Sequence, residues 1–193
     1  MIYEPSDDTY LLMDSLPNNT KGMAVLEVGT GSGIIAEEIA KRGAPFVLAT
    51  DVSFEAALSA KSRGLEVVVA DLLSALNDRA VFDLVLFNPP YLPSSPRSNS
   101  EAWTGGIGGW ELSFKFLAQA KYHTKPNGKI LMVLSSLTSE RILKGCADLG
   151  LAFERRACRD FFYESLCVYE FREQRRASQS SYNATYGFDS SQP

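Results

Sequence analysis

The stretch Val25-Leu26-Glu27-Val28-Gly29-Thr30-Gly31-Ser32-Gly33 decides how this chain folds. It reads as a buried strand running into a glycine-rich turn, and the segment behind it, Ile34 to Arg42, is amphipathic at helical spacing. A strand, a glycine turn and a helix start together form a nucleotide-cradling unit. The glycines let the backbone turn tightly and let a ligand approach with no Cβ in the way. The spacing is G-x-G-x-G, because Ile34 stands where a dinucleotide fingerprint has its third glycine. Glu27 lies just ahead of the first glycine. A carboxylate there repels a pyrophosphate but suits a ligand with ammonium and sulfonium charges.

Working outward, the same alternation of elements continues. Towards the N-terminus, Ser6 or Asp7 caps a short helix that runs through Leu16, with Asp7 and Asp8 in its favourable first turn. Towards the C-terminus, Phe46 to Asp51 reads as a second buried strand. Ser53 caps a helix from Phe54 to Arg63. Leu65 to Ala70 is a third strand, ending at Asp71, and Phe82 to Phe87 is a fourth. That fourth strand runs into Asn88-Pro89-Pro90-Tyr91. Residues 92–110 read as irregular, and a loop of that length in a compact domain is usually functional. Glu111 to Tyr122 is helical, Lys125-Pro126-Asn127-Gly128 is a turn, Lys129 to Ser135 is a fifth strand and Ser139 to Leu149 a helix. Ala152 to Arg159 and Leu166 to Arg172 read as an antiparallel pair. Strands alternating with helices imply an α/β fold, a doubly wound, mostly parallel sheet with an antiparallel C-terminal strand pair. Residues 1–176 form the domain, and 177–193, poor in aliphatic residues, are expected to be a disordered tail.

Composition narrows the class. The chain has 193 residues, 45% hydrophobic and 22% charged, enough for one domain with its own core. The net charge of −4 argues against a surface built to hold nucleic acid phosphates. The acidic start lacks the features of a signal peptide, and no apolar run is long enough to span a membrane, so a cytoplasmic location is expected. Cys146, Cys158 and Cys167 lack metal-ligand spacing and suggest no disulfide framework, and no metal site is expected. His123, the one histidine, is expected at a solvated position.

The polar residues collect at strand ends. Ligands of open parallel sheets bind outside the carboxyl ends of the strands. Asp51, about 20 residues past the glycines, stands where a carboxylate accepts both ribose hydroxyls. Asp71 can accept an adenine amine while Leu72 covers the ring. Asn88-Pro89-Pro90-Tyr91 is the sharpest signal. Two prolines fix the turn and remove two donors. The Asn88 side-chain oxygen and the Pro89 carbonyl are then left to hold an –NH2 group with its nitrogen aimed at one point, and Tyr91 can pack on a planar amide or base.

The order Glu4-Pro-x-Asp-Asp-Thr9, Glu27-Val-Gly-Thr-Gly-Ser-Gly33, Asp51, Asp71-Leu72 and Asn88-Pro-Pro-Tyr91 resembles the class I S-adenosylmethionine-dependent methyltransferases. Within them it resembles the HemK-type protein glutamine methyltransferases, and Glu101-Ala-Trp-Thr-Gly-Gly106 is similar to the archaeal and eukaryotic branch. The resemblance implies a Rossmann-like methyltransferase domain. It implies transfer of a methyl group from S-adenosylmethionine to the side-chain amide nitrogen of the glutamine in the Gly-Gly-Gln motif of a translation termination factor. It assigns Thr9, Glu27, Gly29, Gly31, Asp51, Asp71, Leu72 and Asn88 to the cofactor, and Asn88, Pro89, Pro90, Tyr91 and Trp103 to the substrate, with Asn88, Pro89 and Tyr91 at the chemistry. One departure stands out. The family continues its Trp-x-Gly-Gly segment with a basic or polar run, whereas this chain reads Ile107-Gly108-Gly109-Trp110-Glu111, without the arginine.

The same Asn-Pro-Pro-Tyr turn occurs in adenine-N6 methyltransferases of RNA and DNA, since its geometry suits any planar conjugated –NH2. A non-catalytic S-adenosylmethionine-binding scaffold is a further alternative. In the family's usual strand order the third strand, Leu65 to Ala70, lies at a sheet edge; it is nearly all apolar and has neither proline nor lysine. Such an edge is normally covered. The resemblance implies that a small zinc-binding activator protein adds a strand there.

Overall fold

The computed structural model describes residues 3–90 and 109–174. The expected roles of Tyr91 and Trp103, the segment 91–108 and the expected tail lie outside the described residues.

The chain winds as helix α1 (Asp7–Asp14), strand β1 (Ala24–Val28), α2 (Ile34–Lys41), β2 (Phe46–Asp51), α3 (Phe54–Ser62), β3 (Glu66–Val69) and β4 (Phe82–Phe87). It continues through α4 (Glu111–His123), β5 (Thr124–Ser135), α5 (Ser139–Gly145), β6 (Leu151–Asp160) and β7 (Ser165–Glu173). The seven strands form one sheet in the order β3-β2-β1-β4-β5-β7-β6. The first five are parallel; β7 runs antiparallel to both β5 and β6.

Successive side chains of a strand point to opposite faces, so a strand covered on both sides must be apolar throughout. The central strands obey this. Leu26, Val85, Phe87, Ile130 and Met132 pack on one face with Phe116 and Leu117 of α4 and Ile142 of α5. Val25, Leu84, Leu86, Leu131 and Val133 pack on the other with Leu11 and Leu12 of α1 and Ile35 and Ile39 of α2. Each such side chain contributes about 1.5–3 kcal/mol when fully buried. On β5 the ladder partner of Phe82 is Thr124 and that of Leu84 is Lys129, so Lys125 to Gly128, expected as a turn ahead of the strand, form a bulge within it. Asn127 takes φ 70° there, a conformation asparagine tolerates.

Other expectations change as well, and α1, expected through Leu16, ends at Asp14. Helix α5 ends at Gly145, and Cys146 to Gly150 continue as turns closed to residues three positions back. His123 is not solvated: it closes α4, is 2% exposed, and points Nε2 at Asp78 Oδ1 3.5 Å away. Burial lowers its pKa, with Asp78 opposing. Its helical spacing places it on the buried side of α4 with Phe116 and Ala120. Finally, Cys158 and Cys167 are joined in a disulfide, and Cys146 is free and buried. Spacing gave no sign of this bond; it follows from the antiparallel register, which sets Cys158 directly opposite Cys167.

Candidate active site

In an open parallel sheet the crevice opens where neighbouring strands send their connections to opposite faces. Here that point lies between β1 and β4. Val28 pairs with Phe87, so the glycine turn after β1 and Asn88 after β4 leave the sheet side by side, about 5 Å apart.

The turn depends on its glycines. Gly29, Gly31 and Gly33 all take positive φ, at 64°, 53° and 81°. Gly33 is also pressed against α3: a Cβ there would lie 2.9 Å from Ala60 Cα. That close approach seats α2 and α3 together behind the turn. Gly31 has Tyr3 as its neighbour, with Tyr3 Cβ 3.7 Å from where a Gly31 Cβ would stand. Tyr3 donates its phenol to both Asp8 oxygens, at 2.7 and 2.9 Å. Burial, reinforced by Asp8, pushes that phenol up to about 12, so it remains a donor at neutral pH. Thr9 is buried at the start of α1, where its hydroxyl accepts the Ser6 N–H at 3.4 Å.

Glu27 is 3% exposed. Its Oε2 accepts from the Thr30 hydroxyl at 2.5 Å and the Ala36 N–H at 3.0 Å. Burial dominates and raises its pKa to about 8, with the two hydrogen bonds opposing and Asp51 adding to the rise. The carboxyl therefore sits beneath the turn, poised to ionise when a cation comes near. Asp51 spans two elements: Oδ2 accepts the Gly31 N–H at 2.9 Å and Oδ1 the Ser53 N–H at 2.8 Å. Ser53 caps α3 through the Ala56 N–H.

Asp71 is exposed and pairs with Lys115 of α4 at 2.6 Å. Leu72 beside it takes φ 53° and is buried in the core. A left-handed leucine is an uncommon, strained conformation, and it turns the chain just after β3. Asn88 is half-buried. Its side-chain Oδ1 is buried with no hydrogen-bond partner among the described residues. Orphaning an acceptor costs about 1–3 kcal/mol. The Thr50 and Ser113 hydroxyls are orphaned as well, but inside β2 and α4, whereas Asn88 stands at the carboxyl end of β4.

The structure thus brings Gly29, Gly31, Glu27, Asp51 and Asn88 to one end of the sheet, as the sequence implied. Tyr3, Thr30 and Lys115 were not anticipated. No local pattern marks Lys115, because its partner is 44 residues away. Among the described residues no group of histidine, cysteine and carboxylate side chains could hold a metal ion, and no helix is long and apolar enough to cross a membrane.

Residues 5–148 match the family model described as the methyltransferase small domain. The chain belongs to this methyltransferase family. The methyltransferase is 33% identical to methyltransferase HEMK2 of Mus musculus over 88% of this chain and 89% of that one. It is 28% identical to the eRF1 methyltransferase catalytic subunit mtq2 of Schizosaccharomyces pombe, over 68% and 71% of the two chains. Among solved structures it resembles the E. cuniculi Mtq2-Trm112 complex, responsible for methylation of the eRF1 translation termination factor. The TM-score is 0.75 and the identity 29%, over 90% of this chain and 99% of that one. The class I methyltransferase fold expected from the strand pattern, and membership of the HemK-type group, are both borne out.

The donor set of this methyltransferase fits S-adenosylmethionine. A turn with three positive-φ glycines leaves backbone space for a ligand. The carboxyl groups of Glu27 and Asp51 beside it suit an ammonium and a diol, Glu27 once it is ionised.

Proposed function

We propose that this enzyme methylates the side-chain amide nitrogen of glutamine in the Gly-Gly-Gln motif of a translation termination factor, using S-adenosylmethionine. The observation that carries the reading is the buried Oδ1 of Asn88, without a hydrogen-bond partner among the described residues and side by side with the glycine turn. A carboxamide –NH2 has two N–H groups. Asn88 Oδ1 accepts one and the Pro89 carbonyl accepts the other, which fixes the plane and direction of the nitrogen. As the nitrogen is alkylated its N–H groups grow more acidic, and the two preorganised acceptors stabilise the developing positive charge until one N–H proton is lost to water, leaving the neutral N-methyl amide. When bound, the cofactor supplies an electrophilic methyl carbon on sulfur. Around it, Asp51 accepts from the ribose hydroxyls, Asp71 from the adenine amine with Leu72 against the ring, and Glu27, Thr9, Gly29 and Gly31 surround the amino-acid end. Pro90, Tyr91 and Trp103 complete the substrate side.

A small zinc-binding activator protein covers the β3 edge. Strand β3 is a sheet edge, as expected, and Val69 on it is exposed. Phe54 and Leu58, one turn apart on the adjoining α3, are exposed too. An added strand would satisfy the open backbone groups and cover this apolar margin. The E. cuniculi relative was solved as a complex with a second chain, Trm112.

The test is methyl transfer from labelled cofactor to a purified termination factor, with its Gln→Asn variant, tRNA and duplex DNA as comparison substrates. Label on the glutamine side chain of the first alone supports the reading. Label on adenine would replace it with the nucleic acid alternative.

A further inference from the structure

Strands β6 and β7 are joined by a tight reversal in which the Phe161 N–H donates to the Glu164 carbonyl at 2.8 Å. Its two central residues are Phe162 and Tyr163, 92% and 86% exposed. Such positions usually hold glycine, asparagine or aspartate, because the turn demands backbone freedom and faces water. Here they hold two aromatic rings, packed edge to face with centroids 4.7 Å apart. Phe161 beside them and Leu137 after β5 are exposed as well. The Ser136 N–H donates to the Ser165 carbonyl, which ties the two segments together. A run of exposed apolar residues at a hairpin tip contributes nothing to folding and is expected only where it serves a contact.

The tip stands at the site's end of the sheet. Asn88 follows Phe87, which pairs with Met132, so Asn88 is level with Val133 and its partner Val168. From Val168 the chain reaches Ser165 about 10 Å further on, and β7 lies two strands, about 10 Å, to the side of β4. A protein that presents a side chain to Asn88 therefore meets this tip within one ordinary interface. The Cys158–Cys167 disulfide clamps the hairpin just below the tip, which lowers the entropy lost on docking.

Charge selects the partner. A cleft of about 140 Å³ behind Phe161 is lined by Ser6, Asp7, Asp8, Glu164 and Leu166. Asp7 is paired with Arg159 at 2.5 Å. Among the described residues the donors to Asp8 and Glu164 are neutral: Tyr3, Ser6, Thr9 and Ser135. An aromatic tip in front of an acidic cleft complements a basic protein surface.

We infer that the Phe161-Phe162-Tyr163 tip and the acidic cleft behind it form the docking surface for the basic face of the termination factor that flanks its acceptor glutamine. This rests on the substrate reading given above. The test compares the full chain with its Phe162→Ser/Tyr163→Ser variant, whose exposed rings are not needed for folding. Binding of the factor in the presence of S-adenosylhomocysteine and steady-state methylation are both measured. The variant is expected to bind the factor at least tenfold more weakly and to raise KM by a similar factor. Its S-adenosylhomocysteine affinity and its kcat at saturating factor stay within twofold. Glu164→Gln is expected to give a smaller rise in KM that high salt masks. Unchanged KM in the double variant, with the glutamine still methylated, overturns the docking surface and leaves the substrate reading standing. A wild-type chain that neither binds nor methylates the factor overturns both. Conversion of a wild-type dimer into a monomer by the double substitution overturns the inference in favour of a self-interface.

Discussion

Asp51 Oδ2 accepts the backbone N–H of Gly31 at 2.9 Å, joining the carboxyl end of β2 to the turn that leaves β1. The same carboxylate holds the Ser53 N–H at the start of α3. One side chain thus positions the turn and the helix behind it. Hydrogen bonds to a charged group are worth about 1.5–3 kcal/mol each. Asp51→Ala, which removes both, is expected to lose about 3 kcal/mol or more of stability in urea denaturation and to weaken S-adenosylhomocysteine binding more than tenfold by calorimetry. Unchanged affinity would remove Asp51 from the cofactor site.

The raised pKa of Glu27 makes both stability and binding depend on pH. The folded chain keeps a proton on Glu27 up to about pH 8, while the unfolded chain loses it near 4.5. The contribution of this group to stability is fully present below about 4.5, falls as the pH rises towards 8, and is flat above that. Glu27→Gln should flatten this slope and melt above wild type at pH 8. An ammonium group placed beside Glu27 favours the carboxylate, so wild-type affinity for S-adenosylhomocysteine, which keeps its α-ammonium though not the sulfonium, should rise with pH up to about 8, with proton release. In Glu27→Gln the affinity should be lower and nearly independent of pH. A wild-type affinity that falls across this range would contradict the assignment.

Asn88→Ala removes the orphaned acceptor. A preorganised acceptor of this kind is worth about 10²–10³-fold in rate. Single-turnover methylation should slow by that amount while S-adenosylhomocysteine affinity changes only a few-fold. Protein stability should not drop by more than about 1 kcal/mol, because Oδ1 gives up no hydrogen bond within the described residues. A variant that retains most of its activity would eliminate the proposed role.

The disulfide is open to a direct count. Denatured without reductant, the chain should show one titratable thiol, Cys146, and after reduction all three. Denaturation is required because burial pushes the native Cys146 thiol up to about 11. Closing so short a loop restrains the unfolded chain by about 2–3 kcal/mol, so Cys158→Ser/Cys167→Ser should lose a similar amount relative to the oxidised protein. Three free thiols in the unreduced chain would contradict the bond.

Much of the site was legible because it rests on local chemistry. Glycines that must take positive φ, a strand-end aspartate and an Asn-Pro-Pro turn each carry their reason within a few residues. Lys115, which pairs with Asp71, and Tyr3, which lies against Gly31, carry no such local mark. Their roles arise only when α4 and the N-terminal segment pack against elements distant in sequence.

By itself, the sequence determined the alternation of strands and helices, the parallel sheet and the end at which its polar residues gather. Those follow from side-chain periodicity and turn chemistry, which act over a few residues. The tertiary structure alone decided that His123 faces inward and that Cys158 meets Cys167 across a register. It also decided that two aromatic rings project at the site's end of the sheet. These depend on which strands become neighbours and in what register, and that choice is made by burial summed over the whole core rather than by any one stretch of chain.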